Sequence, residues 1–160
     1  NMLQFYYKRN GRFCNIQQKG GDMDSQIKIL LLTHGGWGKA LLKGASMILG
    51  KIDFVDEVAL LPEMTLPEYM EKVKNVVEKM PEDSLILTDI FGGTTTNVAA
   101  KLGRDYNIKV YSGLCAPMLI EACSGLAFAG KIDQSAVLEA GQGAVRDVVD
   151  EVLKSLNKEN

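Results

Sequence analysis

A chain of 160 residues with one histidine, three cysteines and no Cys-x-x-C pair is short of soft metal ligands, so it cannot assemble a His- or Cys-rich metal site of the usual kind. No cofactor is expected. The cysteines, Cys14, Cys115 and Cys123, are odd in number and spaced as neither a zinc motif nor a redox pair, which suits a reducing, cytoplasmic setting. Cys115 and Cys123 read as small apolar packing residues. A basic excess is missing too: 18 Lys and Arg against 20 Asp and Glu leave a net charge of −2, too little positive charge to neutralise a phosphate backbone. Nucleic acid is therefore not an expected partner. Long apolar runs are absent as well. Ile27–Thr33 is among the longest, contains Lys28, and falls far short of the roughly 20 residues that cross a bilayer. Direct membrane insertion is not expected. Neither a G-x-G-x-x-G run nor a Walker lysine follows the first apolar stretch, so a nucleotide has no recognisable cradle.

What is present is 46% apolar residues, enough for a single core without staples. Residues 1–22 mix aromatic and basic residues with Gly and Gln and hold no sustained period. They read as an N-terminal extension, non-native or loosely ordered, ahead of one domain over residues 23–160. Lys19-Gly20-Gly21-Asp22 before Met23 resembles a translated ribosome-binding site, which would put the natural start at Met23. From Gln26 onward, short Ile/Leu/Val runs alternate with segments of helical period, the pattern of a parallel sheet covered by helices on both faces. Strands are expected at Ile27–Leu32, Phe54–Leu61, Ser84–Ile90 and Ile108–Tyr111. Helices are expected over Gly38–Leu49, stopped by Gly50; from the Thr65-Leu66-Pro67-Glu68 capping box to about Met80; over Thr95–Leu102, stopped by Gly103; over Pro117–Cys123; and over Gln134–Leu156, with Gly141 and Gly143 as candidate interruptions.

In open α/β sheets ligands bind beyond the carboxyl ends of the strands, where neighbouring crossovers diverge. That rule selects Thr33-His34-Gly35-Gly36 after the first strand and Asp89-Ile90-Phe91-Gly92-Gly93-Thr94-Thr95-Thr96 after the third. Neighbouring strands would bring His34 and Asp89 to one crevice, an arrangement fit for a phosphohistidine. The carboxylate would fix the tautomer of a nucleophilic imidazole, while the phosphate-binding donors would be Thr33, Gly35, Gly36, Gly92, Gly93, Thr94 and the positive helix ends. Plainer roles exist for each: a surface His, a capping Asp89, a tight turn at Gly92-Gly93, N-caps at Thr94–Thr96, and for Trp37 either inward packing or contact with a partner.

At these residues the chain resembles the mannose/fructose/sorbose family of phosphotransferase system enzyme IIA components. The family's Ser/Thr-His-Gly after an apolar strand stands here as Thr33-His34-Gly35, with Leu49-Gly50 ending the next helix. Its Asp-Leu-Phe-Gly-Gly-Ser-Pro-x-Asn stands as Asp89-Ile90-Phe91-Gly92-Gly93-Thr94-Thr95-Thr96-Asn97, and its Ser-Gly-x-Asn-x-Pro-Met-Leu as Ser112-Gly113-Leu114-Cys115-Ala116-Pro117-Met118-Leu119. The resemblance implies a three-layer α/β/α fold with four parallel strands in the order 2-1-3-4, and a homodimer with a fifth edge strand exchanged, for which Gly125–Lys131 is the candidate segment. It implies that His34 accepts phosphate from the histidine phosphocarrier protein and donates it to a cognate enzyme IIB. That acceptor would be a separate chain, since only four residues follow Leu156. Asp89 would hold Nδ1, leaving Nε2 as the phosphorylated nitrogen, and Thr94 would stand in for the family's Ser. Thr95 and Cys115 replace the family's Pro and Asn. With Trp37 and Pro117, they are expected on a partner-contacting rim. The rival readings are a phosphocarrier subunit of a dihydroxyacetone kinase, a regulatory domain of the same fold, and, from another class, a small-anion or nucleotide-binding module.

Overall fold

The computed structural model describes residues 27–156. The expected extension, the start at Met23 and Cys14 all lie outside that range. Strand β1 (Ile29–His34) is followed by α1 (Gly38–Leu49), β2 (Val55–Leu60), α2 (Leu66–Val77), β3 (Leu85–Thr88), α3 (Thr94–Asp105), β4 (Lys109–Ser112) and α4 (Ala116–Ser124). A π-helical turn (Gly125–Ala129) then leads to α5 (Gln134–Gln142) and α6 (Val148–Leu156). The four strands are parallel in the order β2-β1-β3-β4, as expected.

The interior position of β1 explains its composition. A strand flanked by strands and covered by helices on both faces has no solvent side to write in polar residues, and Ile29, Leu30, Leu31 and Leu32 are all fully buried. Their alternation splits the core in two. Ile29 and Leu31 join Ala45, Leu114, Leu119, Cys123 and Val137 on the face of α1, α4 and α5. Leu30 and Leu32 join Tyr69, Val73, Val98 and Leu102 on the face of α2 and α3. Burial pushes the Cys123 thiol up to about 12, in keeping with an inert packing residue. At the start of α2 the capping box forms as the sequence requires: Thr65 N donates to Glu68 Oε2 at 2.8 Å, and Glu68 N to Thr65 Oγ1 at 3.5 Å.

Glycine shapes three stretches for reasons that the local pattern does not carry. Gly103 does not stop its helix; α3 runs on to Asp105. A Cβ on Gly103 would lie 2.5 Å from Val110 Cγ2 and 2.7 Å from the Ile108 carbonyl oxygen, so this glycine lets the helix press against β4. Gly103→Ala is accordingly expected to lower stability by about 1–3 kcal/mol through overpacking, although alanine is the better helix former. A urea midpoint at or above that of the unsubstituted protein would contradict it. The last helix is interrupted at one of its two candidate glycines: α5 ends at Gln142 with Gly143 as its cap, whereas Gly141 lies inside α5 and makes room for Met118 of α4. Gly125–Lys131, the candidate exchanged strand, instead begins with the π-helical turn, which continues directly from α4 and closes at the left-handed Gly130 (φ 68°).

Candidate active site

The crevice forms because β1 and β3 are neighbours whose following helices leave on opposite faces: α1 packs with the Leu31 cluster, α3 with the Leu32 cluster. His34 is the last residue of β1, and Asp89 directly follows β3. The two loops therefore converge, and they do so tightly. Asp89 Oδ2 accepts from the His34 backbone N–H at 2.7 Å and lies 2.8 Å from His34 Nδ1. Asp89 Oδ1 accepts from the Ile90 N–H at 2.9 Å and from the Thr95 hydroxyl at 2.9 Å. The Asp89 side chain is 3% exposed and the His34 side chain 44%.

Burial by itself would push the Asp89 carboxyl up, but the donors gathered on it, from the His34 backbone and ring, Thr95 and Ile90, together hold it below the ordinary 3.8. An ionised carboxylate is acceptor-only, so the ring proton sits on Nδ1 and the lone pair of the neutral imidazole is on Nε2. Among the described residues nothing hydrogen-bonds Nε2.

The first turn of α3 lies against this ring. Its N-cap is Gly93, without a capping side chain, and a Cβ there would come 3.3 Å from His34 Cε1. Glycine thus admits the imidazole to the positive end of the helix, beside half-buried Thr94. Gly92 (φ 82°) makes the left-handed turn that leads the backbone into it. The loop is tied down by Thr96, whose hydroxyl donates to the Ile90 carbonyl and lies 2.8 Å from that of Thr88.

Four expected site residues take other places in this scheme. Thr33 is fully buried, on the opposite side of β1 from the crevice's α3 wall, and its hydroxyl donates to Glu57 Oε1. Glu57 also accepts from Gly38 N at 2.8 Å and Lys39 N at 3.0 Å, so the first-turn N–H groups of α1 are spent on a protein carboxylate. Gly35 (φ 68°) and Gly36 (φ 80°) shape the turn after His34, but the helix end behind them is already neutralised, which leaves α3 as the terminus open to an anion. Thr95, expected on the rim, is fully buried under Asp89. Of the remaining rim residues, Trp37 is 41% exposed next to the His34 loop. Cys115 and Pro117 are half-buried in the cap and first turn of α4, at the same sheet edge but after the strand two positions from β1. Cys115 packs against the core. Glu57 is the residue that the sequence reading passed over; its signal was an acid inside the Val-Asp-Glu-Val-Ala-Leu strand. Among the described residues no group of three or more His, Cys, Asp or Glu side chains could hold a metal.

The family described as "PTS system fructose IIA component" (EIIA-man) matches residues 28–137, well over half of the chain. This chain belongs to the EIIA-man family. It is 30% identical over 97 residues to the PTS system sorbose-specific EIIA component of Lacticaseibacillus casei, covering 59% of this chain and 70% of that one. It is 32% identical over 98 residues to the mannose-specific EIIAB component of Escherichia coli K12, covering 59% of this chain but only 30% of that longer protein. Solved EIIA structures superpose throughout the fold. The phosphotransferase system component EIIA from Streptococcus agalactiae matches with a TM-score of 0.70 at 27% identity, over 78% of this chain and 98% of that one. The mannose/sorbose-specific IIA subunit from Enterococcus faecalis matches with a TM-score of 0.67 at 28% identity, over 77% and 95%. As an EIIA-man member the chain is a phosphotransferase component of a sugar phosphotransferase system. No helix among the described residues is long and apolar enough to cross a membrane.

Proposed function

We propose that His34 carries the phosphoryl group in transit, accepting it from the histidine phosphocarrier protein and passing it to a cognate enzyme IIB for sugar uptake, in the cytoplasm. One contact supports this reading above the others: Asp89 Oδ2, 2.8 Å from Nδ1, parks the ring proton there and leaves Nε2 as a nucleophile on the open side of a ring that is nearly half exposed. In the forward step the Nε2 lone pair attacks the donor's phosphorus, a new N–P bond forms, the donor's N–P bond breaks, and the electron pair stays with the donor imidazole. No proton need leave His34, because the positive charge that develops on its ring faces the Asp89 carboxylate. The phosphoryl oxygens would be met by the backbone N–H groups of Gly93 and Thr94 at the α3 terminus and by the Thr94 hydroxyl, with Gly92 setting the turn. Reversal toward enzyme IIB uses the same groups.

The chain would act as a homodimer. Val148, Val149, Val152 and Leu153 line one exposed stripe of α6, an apolar face that a second subunit would bury. Incubation with phosphoenolpyruvate, enzyme I and the phosphocarrier should load one phosphate per chain, labile in acid, stable in alkali, and located on His34 by fragmentation mass spectrometry. Acid-stable label, label on a threonine, or uptake that does not depend on the phosphocarrier would refute the assignment.

A further inference from the structure

We propose that Thr95 is a positioning residue: its hydroxyl locks the Asp89 carboxylate in the orientation that keeps the proton of His34 on Nδ1. The kinetic part of this inference rests on His34 being the phosphoryl carrier; the tautomeric part does not. Asp89 makes four hydrogen bonds, two on each oxygen. Both bonds to Oδ2 come from His34, the residue to be held. The clamp that stops the carboxylate from swivelling is therefore on Oδ1, and it consists of the Ile90 N–H and the Thr95 hydroxyl, each at 2.9 Å.

These two clamps differ in kind. Ile90 adjoins Asp89 in the chain and is 60% exposed, so its N–H belongs to the same loop as the carboxylate it holds. Thr95 stands on the second residue of α3, is fully buried, and belongs to a helix packed against the sheet through Val98, Ala99 and Leu102. On Oδ1, Thr95 references the carboxylate directly to the helix frame, whereas Ile90 does so only through its own loop, which Thr96 ties to α3. Its hydroxyl also lies 3.8 Å from the point where a Gly93 Cβ would stand, the same point that is 3.3 Å from His34 Cε1, so the imidazole and the Thr95 hydroxyl both approach Gly93. A threonine at the second position of a helix usually faces solvent or caps; here it is turned inward onto a catalytic carboxylate, where burial makes the missing alternative partner decisive. The proline that stands at this position in the family pattern has no hydroxyl and could not make this contact.

The test uses the single histidine, whose two ring nitrogens give an unambiguous ¹⁵N spectrum. With the imidazole neutral, the unsubstituted protein should show the Nδ1–H form alone. Thr95→Val should give a mixture with the Nε2–H form and take phosphate several-fold more slowly at unchanged KM for the phosphocarrier; Thr95→Ser should restore both. Thr95→Ala substitutes if the valine variant does not fold, and the unsubstituted protein offers a direct check: a Thr95 hydroxyl proton that exchanges slowly with water. Wild-type nitrogen shifts in a folded Thr95→Val or Thr95→Ala protein, or a rapidly exchanging hydroxyl in the unsubstituted one, would overturn the inference. A tautomer mixture in a protein that takes no phosphate at all would instead leave Thr95 standing and remove the carrier function.

Discussion

Asp89→Asn is expected to slow phosphate uptake on His34 by about two to four orders of magnitude, the range for losing the group that sets a catalytic imidazole's tautomer. The size follows from the four donors on Asp89, which an amide cannot accommodate either way round. With its oxygen toward His34, the amide NH₂ meets the Ile90 N–H, donor against donor. With its NH₂ toward His34, it opposes the His34 backbone N–H and invites Nδ1 to accept, which moves the ring proton to Nε2 and occupies the nucleophilic lone pair. His34→Ala sets the floor of this experiment and should take no phosphate. Quench-flow labelling with saturating phosphocarrier measures the rate, and circular dichroism establishes that the variant is folded. Uptake by a folded Asp89→Asn protein at the unsubstituted rate would end the argument for Asp89 as the orienting group.

The largest stability effect is expected at Glu57, outside the crevice of His34 and Asp89. Its buried carboxylate collects Gly38 N, Lys39 N and the Thr33 hydroxyl, fastening the start of α1 to β2 under the His34 loop. Glu57→Gln keeps the shape but turns an NH₂ toward at least one of these donors, at a cost of about 2–4 kcal/mol, since each orphaned buried donor costs about 1–3 kcal/mol. The charge that offsets the α1 dipole is lost with it. Urea unfolding should show a lower midpoint with an unchanged slope, the mark of lost stability rather than an altered unfolded state. An unchanged midpoint would mean that those bonds contribute nothing net. Gly38 sharpens the point, because a Cβ there would stand 2.5 Å from Glu57 Oε1; glycine opens α1 so that the carboxylate fits.

Much of the architecture was legible because parallel α/β proteins write it locally. The unbroken Ile29-Leu30-Leu31-Leu32 run, β-branched at its start and followed by paired glycines, reads as a strand covered on both faces, and Thr65 with Glu68 specifies a helix start through backbone donors three residues apart. Boundaries marked by glycine were less secure. Gly50 does close α1 with a positive φ, but Gly103 and Gly141 are glycines for contact with β4 and α4, a reason that exists only once those elements are packed. The Gly125–Lys131 segment misled in the same way: its apolar character suits a strand or a turn of π-helix that continues α4, and periodicity over so few residues does not separate them.

At the site, the pattern of residues determined which chemistry the chain could run: a lone histidine and an aspartate, each at the end of an apolar run and each followed by paired glycines, point to one carboxylate-held imidazole beside open backbone donors. Tertiary structure decided what the threonines and the second acid do. Thr33 is expected among the phosphate donors and Thr95 on the partner-contacting rim, yet one serves Glu57 and the other Asp89. The side a strand residue faces is set by its register against neighbours, and the way a first-turn helix residue points is set by how the helix docks. Neither is a property of the few residues around it, so only the assembled sheet could assign them.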